Sequence, residues 1–295
     1  MTASQQRAAA EYLDEAYGAS QRRASRVLCR ARSTLRYQRR PRAGELRLLQ
    51  AIRRLARRHP RFGYKRVHAR LIHQGWRVNL KRTRRLWLEL GLRRPFRRKK
   101  PQKRAAQPGS SANSCTQQPA QFKNDVWTYD FIADRTLAGG TLKWLSLVDE
   151  YTRECLALWV GTMAKGVDVR RVLARVIGWR GAPTRLRSDN GAEFIGSALA
   201  QWLPKVGTRS IPVAPAHPWE NGFIESFHSR LRDEFLECHV FESVADAQNQ
   251  AAWWRREYNR IRPHSALAYQ TPKMFSDQGD RGLHGQPATR ANVKA

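Results

Sequence analysis

Three strand-like segments in a row constrain this chain more than anything else in it: VWTYDFIAD (126–134), TLKWLSLVDEYT (141–152) and ECLALWVG (154–161). Each mixes β-branched and aromatic residues, and only short turns part them, so they predict an antiparallel meander. Gly139-Gly140 supplies the hairpin turn between the first two. Beyond the meander the pattern alternates. Asp168 to Trp179 carries Val169, Val172, Leu173, Val176 and Ile177 at helical spacing. TRLRSD (184–189) reads as a fourth strand, Phe194 to Leu203 as a helix and RSIPVAP (209–215) as a short fifth strand, with helices at about 220–238 and 243–260. A meander continued by helix–strand alternation predicts an α/β core.

The first third reads differently. In 19–40, Ser20 suits an N-cap and Ala24, Val27 and Leu28 form a short apolar stripe; Ser33 or Thr34 suits the cap of a second short helix with Leu35 and Tyr37, a helix-turn-helix-like pair. Residues 44–58 form a stronger amphipathic helix with Leu48, Ile52 and Leu55 inward, ended by Pro60. A helix from about Tyr64 to Gln74 carries Val67, Leu71 and Ile72, with Gly75 at its C-terminal cap. Asn79 caps a third helix to Leu90, with Lys81, Arg82, Arg84 and Arg85 outward, Leu86, Trp87 and Leu90 inward, and Gly91 as the stop. A last helix this basic fits major-groove insertion, or a solvated face that touches only phosphates. Residues 97–121 lack periodicity and read as a linker. The expected division is 1–43, a helical segment; 44–96, a basic three-helix domain; 97–121, linker; 122–278, catalytic core; and 279–295, a polar, Gly-rich, disordered tail.

Charge follows the same division. Of the net +31, residues 1–120 carry 32 Lys and Arg against 5 Asp and Glu, and residues 121–295 carry 23 against 19. So cationic a chain expects a polyanion, not a small neutral metabolite. Arg outnumbers Lys 44 to 11, which suits bidentate phosphate contacts or reflects Arg-rich codon usage. No run approaches roughly 18 apolar residues and the polar, Ala-rich start lacks a signal peptide's apolar run, so no membrane is expected. Cys29, Cys115, Cys155 and Cys238 stand apart without a C-x-x-C pair. They predict neither a zinc site nor a disulfide framework, and the cytoplasm is the expected compartment.

Three carboxylates stand out. Asp130 sits within WTYDFI, where alternation puts Trp127, Tyr129 and Phe131 on one face and Thr128 and Asp130 on the other; a carboxylate there is costly unless paired or holding a cation. Asp189 follows a strand end in SDNGAEF, either a site at the carboxyl end of a strand or merely a turn. Glu225 shares a helix flank with His228, Ser229 and Arg232, beside the stripe Ile224, Phe227, Leu231, Phe235 and Cys238. In isolation that glutamate reads as a surface group loosely paired with Arg232.

Together the three are more specific. Two aspartates 59 positions apart, then a glutamate with 35 residues between it and the second, resemble the D-D-35-E signature of retroviral integrases and insertion-sequence transposases. RFGYKRVHARL (61–71), WTYDFI (127–132), SDNGAEF (188–194), NGFIESFHSRLRDE (221–234) and YNRIRPHSALAYQTP (258–272) resemble the second-reading-frame (OrfB) product of the two-reading-frame insertion-sequence family, over roughly 19–275. His228 stands where Asn is common and Ala192 where Pro is common; neither is a carboxylate.

The resemblance implies a ribonuclease-H-like integrase core, with a mixed five-stranded sheet and flanking helices, behind an all-α helix-turn-helix region. It implies that Asp130, Asp189 and Glu225 hold two Mg²⁺ ions, with Mn²⁺ as substitute, for DNA cleavage and strand transfer without a covalent protein intermediate. Arg232 is expected at a DNA phosphate and Asn221 at DNA or positioning the glutamate helix, with a structural role equally open for Asn221, His217 and His264. Expected partners are double-stranded DNA (terminal inverted repeats and target), further copies in a synaptic complex, and an OrfA protein or OrfAB fusion, in a bacterial, nucleoid-associated setting. A catalytically inactive DNA-binding repressor is the alternative; a ribonuclease H acting on hybrids shares the fold but leaves the basic helices unexplained.

Overall fold

The computed structural model describes residues 3–37, 43–92, 119–188, 197–212 and 222–282. They fall into two compact units, 1–51 and 52–295, with the division inside one helix.

In the first unit, α1 spans Ala3–Tyr17, α2 Gln21–Val27 and α3 Arg32–Arg36. The alanines at 8–10 explain α1, within the segment expected to be helical. Ser20 caps α2 as expected, accepting from the Arg23 N–H at 3.4 Å. The second cap differs: Ala31 is the N-cap of α3, and Ser33 and Thr34 lie inside the helix. Little is buried here. Ala24 is enclosed, but Val27 and Tyr37 are exposed, so the expected stripe is reduced to one small residue. Polar contacts do much of the holding: Arg30 Nε donates to Gln6 Oε1 at 3.0 Å and Arg7 Nη1 to the Tyr37 carbonyl at 2.6 Å.

Helix α4 (Glu45–Arg58) crosses the division and buries Leu48, Ile52 and Leu55. In the second unit α5 (Tyr64–His73) and α6 (Leu80–Glu89) follow. Gly75, at φ +85°, takes the left-handed turn that ends α5, and Asn79 Oδ1 accepts the Lys81 N–H at 2.8 Å to start α6. His68 Nδ1 lies 3.2 Å from Thr83 Oγ1 between the two helices. Val67, Leu71, Leu86 and Trp87 are buried, whereas Ile72 is exposed.

Strands β1 (Val126–Arg135), β2 (Thr141–Asp149), β3 (Cys155–Gly161), β4 (Arg185–Ser188) and β5 (Arg209–Pro212) form one mixed sheet in the order β3-β2-β1-β4-β5. The three meander strands are antiparallel; β4 runs parallel to β1 and β5 parallel to β4. Helices α7 (Gly166–Arg180), α8 (Ser197–Lys205), α9 (Gly222–Glu234), α10 (Val244–Arg260) and α11 (Pro272–Gly282) complete the chain. The expected start of α8 at Phe194 lies outside the described residues.

Strand alternation divides the core in two. Trp127, Tyr129, Leu145 and Leu147 pack with Val169, Leu173 and Val176 of α7 and Leu199 and Leu203 of α8. On the opposite face Ile132, Leu142, Trp144 and Val148 pack with Ile224, Phe227 and Leu231 of α9 and Ala247, Ala251, Trp254 and Tyr258 of α10. Each large apolar side chain so enclosed contributes about 1.5–3 kcal/mol. Two expectations fail at helix ends. Cys238 is exposed, because α9 stops at Glu234 and a 3₁₀ turn over Leu236–Cys238 carries it off the stripe. The tail does not begin at Gly279: α11 runs through Gly282, anchored by buried Ser276 and by Phe275, whose ring lies 5.5 Å from that of Tyr151.

Candidate active site

Asp130 stands midway along β1, at the centre of the sheet, opposite Ser146 of β2. It shares a face with Thr128 and Ile132, the face covered by α9 and α10. Its Oδ1 accepts the Phe131 N–H at 2.7 Å. The carboxyl remains 25% exposed, and His228 Nδ1 of α9 comes within 3.6 Å of Oδ2. Burial first, and the Arg232 cation second, push the His228 imidazole down to about 4. At neutral pH the ring is uncharged, so this approach is not an ion pair. Ser146 is fully buried, with a hydroxyl that has no hydrogen-bond partner among the described residues.

Glu225 is exposed in the first turn of α9, where the helix dipole favours an anion. It precedes His228 by three positions, so the two share a flank about 4.5 Å apart along the axis. The His228 contact thereby brings the Glu225 flank to Asp130. Arg232 follows one turn after His228 and is exposed. Asp189, Asn221 and His217 lie outside the described residues. The strand leading to Asp189 is described: Arg187 of β4 pairs with Thr128 of β1, and Ser188 ends the strand. Among the described residues no three His, Cys, Asp or Glu side chains gather to hold a metal.

Beneath the site lies a pair that sequence reasoning missed. Arg187 Nε donates to Glu150 Oε1 at 2.9 Å, and both side chains are 1% exposed. Burial raises the Glu150 carboxyl above the ordinary range, with Arg187 opposing. The available signal was the arginine itself, set inside a short strand segment, where a buried cation needs a partner. His228 shares the Glu225 flank as its spacing predicts; its approach to Asp130 is what sequence reasoning missed.

Of the basic residues expected at DNA, Lys81, Arg84 and Arg85 are exposed on α6, while Arg82 is half-buried rather than outward, since the helix turns it beside buried Leu86 and Thr83. Arg84 lies 5.9 Å from the Tyr64 ring centroid and Arg85 Nε 3.6 Å from Glu89. His264 is buried and 3.2 Å from Arg262 Nη1. Trp254 is core, but Trp253 is exposed. Burial pushes the Cys155 thiol up to about 12, which leaves it inert.

An HTH-like domain family matches residues 44–100 of this chain, and two integrase core domain families match 120–218 and 206–272. The fold and these matches define an integrase-core protein with a helix-turn-helix-like region ahead of it. It is 36% identical over 262 residues to a 31.7 kDa protein of insertion element IS407 from Burkholderia multivorans, covering 87% of this chain and 90% of that one. It is 35% identical to a 39.2 kDa protein of insertion element IS476 from Xanthomonas euvesicatoria, covering 87% and 72%. Among solved structures, an HTLV-2 integrase catalytic core domain in complex with magnesium is 13% identical at a TM-score of 0.43, over 53% of this chain and 99% of that one. The chain belongs to the insertion-sequence transposase family, in its second-reading-frame, integrase-core form. Among the described residues no helix is long and apolar enough to cross a membrane.

Proposed function

We propose that this transposase cuts DNA at the ends of its element and joins them to a target, and that Asp130, Asp189 and Glu225 hold the divalent metal the reaction needs. The observation that carries this reading is the 3.6 Å contact of His228 with Asp130, which lays the Glu225 flank of α9 over the central strand. Asp130 and Asp189 also each follow the paired residues Thr128 and Arg187 by two positions. The donor set fits Mg²⁺ or Mn²⁺: hard carboxylate oxygens, with Glu225 exposed and Asp130 partly open to solvent. Bound there, one or two such ions supply Lewis acidity to the phosphodiester.

In the first step a water oxygen adds to phosphorus, giving up its proton, while the P–O3′ bond breaks and the departing 3′ oxygen takes one. The products are a 3′-hydroxyl and a 5′-phosphate. In the second step that 3′-hydroxyl oxygen adds to a target phosphodiester and the target's own 3′ oxygen leaves, so the number of phosphodiester bonds is conserved. His228 positions Asp130. Arg232 and Asn221 contact DNA backbone near the site, and Lys81, Arg82, Arg84 and Arg85 grip duplex further off. On this reading residues 44–96 bind DNA, 97–121 link and 122–278 carry the chemistry. The chain works as several copies on paired DNA ends, together with or fused to an OrfA protein.

The test is Mg²⁺-dependent cleavage and joining of element-end oligonucleotides by wild type and Glu225→Gln. The variant is expected to fold normally, since Glu225 is exposed, and to lose at least about a hundredfold in rate. Equal rates would overturn the assignment. Retained DNA binding by a wild type that neither cuts nor joins would instead identify a repressor.

A further inference from the structure

The side of α9 away from Glu225 roofs a cleft of ≈ 440 Å³. Phe223, Ser226 and Arg230 line it from α9, Arg153 from the turn between β2 and β3, Arg66 from α5, and Arg262 from the segment after α10. At 3.6 residues per turn, Phe223, Ser226 and Arg230 point roughly 150° away from Glu225, His228 and Arg232. The body of a helix about 10 Å thick therefore separates the cleft from the candidate active site.

Four guanidinium groups meet here. Glu234 answers two of them: Arg66 Nη1 donates to it at 2.7 Å, and Arg262 Nε and Nη2 donate at 2.6 Å each. Glu150, paired with Arg187, also lies within electrostatic reach of Arg153. Arg230 donates to the Ser226 carbonyl and hydroxyl, both neutral. Arg153 lies 3.9 Å over the Phe223 ring, which orients its plane. No Asp or Glu is among the described residues lining the cleft. The crowding registers in its neighbours. Burial first, then Arg262, Arg230, Arg66 and Arg153, push His264 down to about 2. Arg66 is held below its ordinary value by burial and by Arg262, with Arg230 adding to it. A site with this surplus of cations is stabilised by an anion, and guanidinium forks match tetrahedral phosphate oxygens in pairs.

We infer that the cleft is an anion site that seats a backbone phosphate of bound DNA, apart from the phosphodiester that reacts beside Glu225. This rests on the reading that the chain binds DNA, but it is a statement about binding rather than chemistry.

Ser265, exposed at the rim, allows a test that leaves the arginines in place. Binding of the full chain to an element-end duplex is measured by fluorescence anisotropy over a series of salt concentrations. Ser265→Glu supplies the cleft with its own carboxylate and is expected to bind about tenfold more weakly than Ser265→Gln. Its plot of log affinity against log salt is expected to be shallower by about one. The same Glu and Gln pair at Ala174, exposed on α7, is expected to differ less than about twofold, since a distant exposed charge is screened. Equal binding by Ser265→Glu and Ser265→Gln at every salt concentration would overturn the inference. So would an effect at Ala174 as large as at Ser265. The readings fail separately: strand joining by Glu225→Gln reports on the chemistry, and the Ser265 pair on the cleft.

Discussion

Arg180, Arg185, Arg187 and Arg262 of the integrase core turn inward and meet carboxylates: Glu154 and Asp149, Asp125, Glu150, and Glu234 respectively. On α6, Lys81, Arg84 and Arg85 turn outward, and the ion pair of Arg85 with Glu89 is exposed on both sides. The formal charge counts these two populations alike. Their energetics differ by several-fold, since breaking a buried pair strands a charge in low dielectric, whereas an exposed pair is worth about 0–1 kcal/mol. The inward arginines hold the fold, and the outward cations remain available to a polyanion.

The contrast is most exposed to failure at Arg187. Arg187→Met leaves Glu150 buried without its guanidinium and is expected to cost about 3–5 kcal/mol in urea unfolding. A loss under about 1 kcal/mol would erase the distinction. The opposite result is expected on α6. Replacing Lys81, Arg84 and Arg85 together with Gln should leave unfolding within about 0.5 kcal/mol of wild type. It should weaken binding to duplex DNA by about a hundredfold at moderate salt and flatten its salt dependence by two to three phosphate contacts, or about 2–3 in slope. Unfolding that suffers more than binding would place these residues with the inward set.

Histidine sharpens the comparison at a smaller scale. His59, His228 and His264 are held neutral by burial and neighbouring arginines, at about 4, about 4 and about 2. With folded-state values below the ordinary 6.5, the unfolded chain binds more protons. Stability is therefore full above about pH 6.5 and is lost as pH falls towards 4. From pH 7 to pH 5 the loss should be on the order of 1 kcal/mol for each well-buried ring, read as a falling melting temperature. A melting temperature that rises or stays level over that interval contradicts the packing of these rings.

The strands were legible because alternation is local. Trp127, Tyr129 and Leu145, Leu147 face one way and Ile132, Trp144 and Val148 the other, as period two requires. The mixed five-stranded sheet came from family resemblance, but its strand order was not legible, because nothing local says that β4 lies beside β1. Helix ends were less legible. Cys238 continues the apolar spacing of α9 in sequence, but the helix has already tightened into a 3₁₀ turn. Ser33 and Thr34 look like caps, yet Ala31 takes the position. Of the candidate site, Asp130 and Glu225 were readable from their spacing; His228 against Asp130 and Arg187 beneath were not, because each depends on a contact between segments distant in sequence. Arg82 was misplaced because a count of basic residues cannot tell which side of a helix they occupy.

Helix α9 carries apolar anchors at Ile224, Phe227 and Leu231, a carboxylate and histidine on one flank and cleft-lining residues on the other. Its three faces are locked in phase, which sets what changes in chain length it can absorb. A single-residue insertion between Glu225 and Phe227 would keep every side chain yet turn Glu225 by about 100° relative to the anchors behind it. Related chains should therefore keep this helix's residue count from Glu225 to Leu231 unchanged even where exposed positions without a role, such as Ser229, differ in residue type.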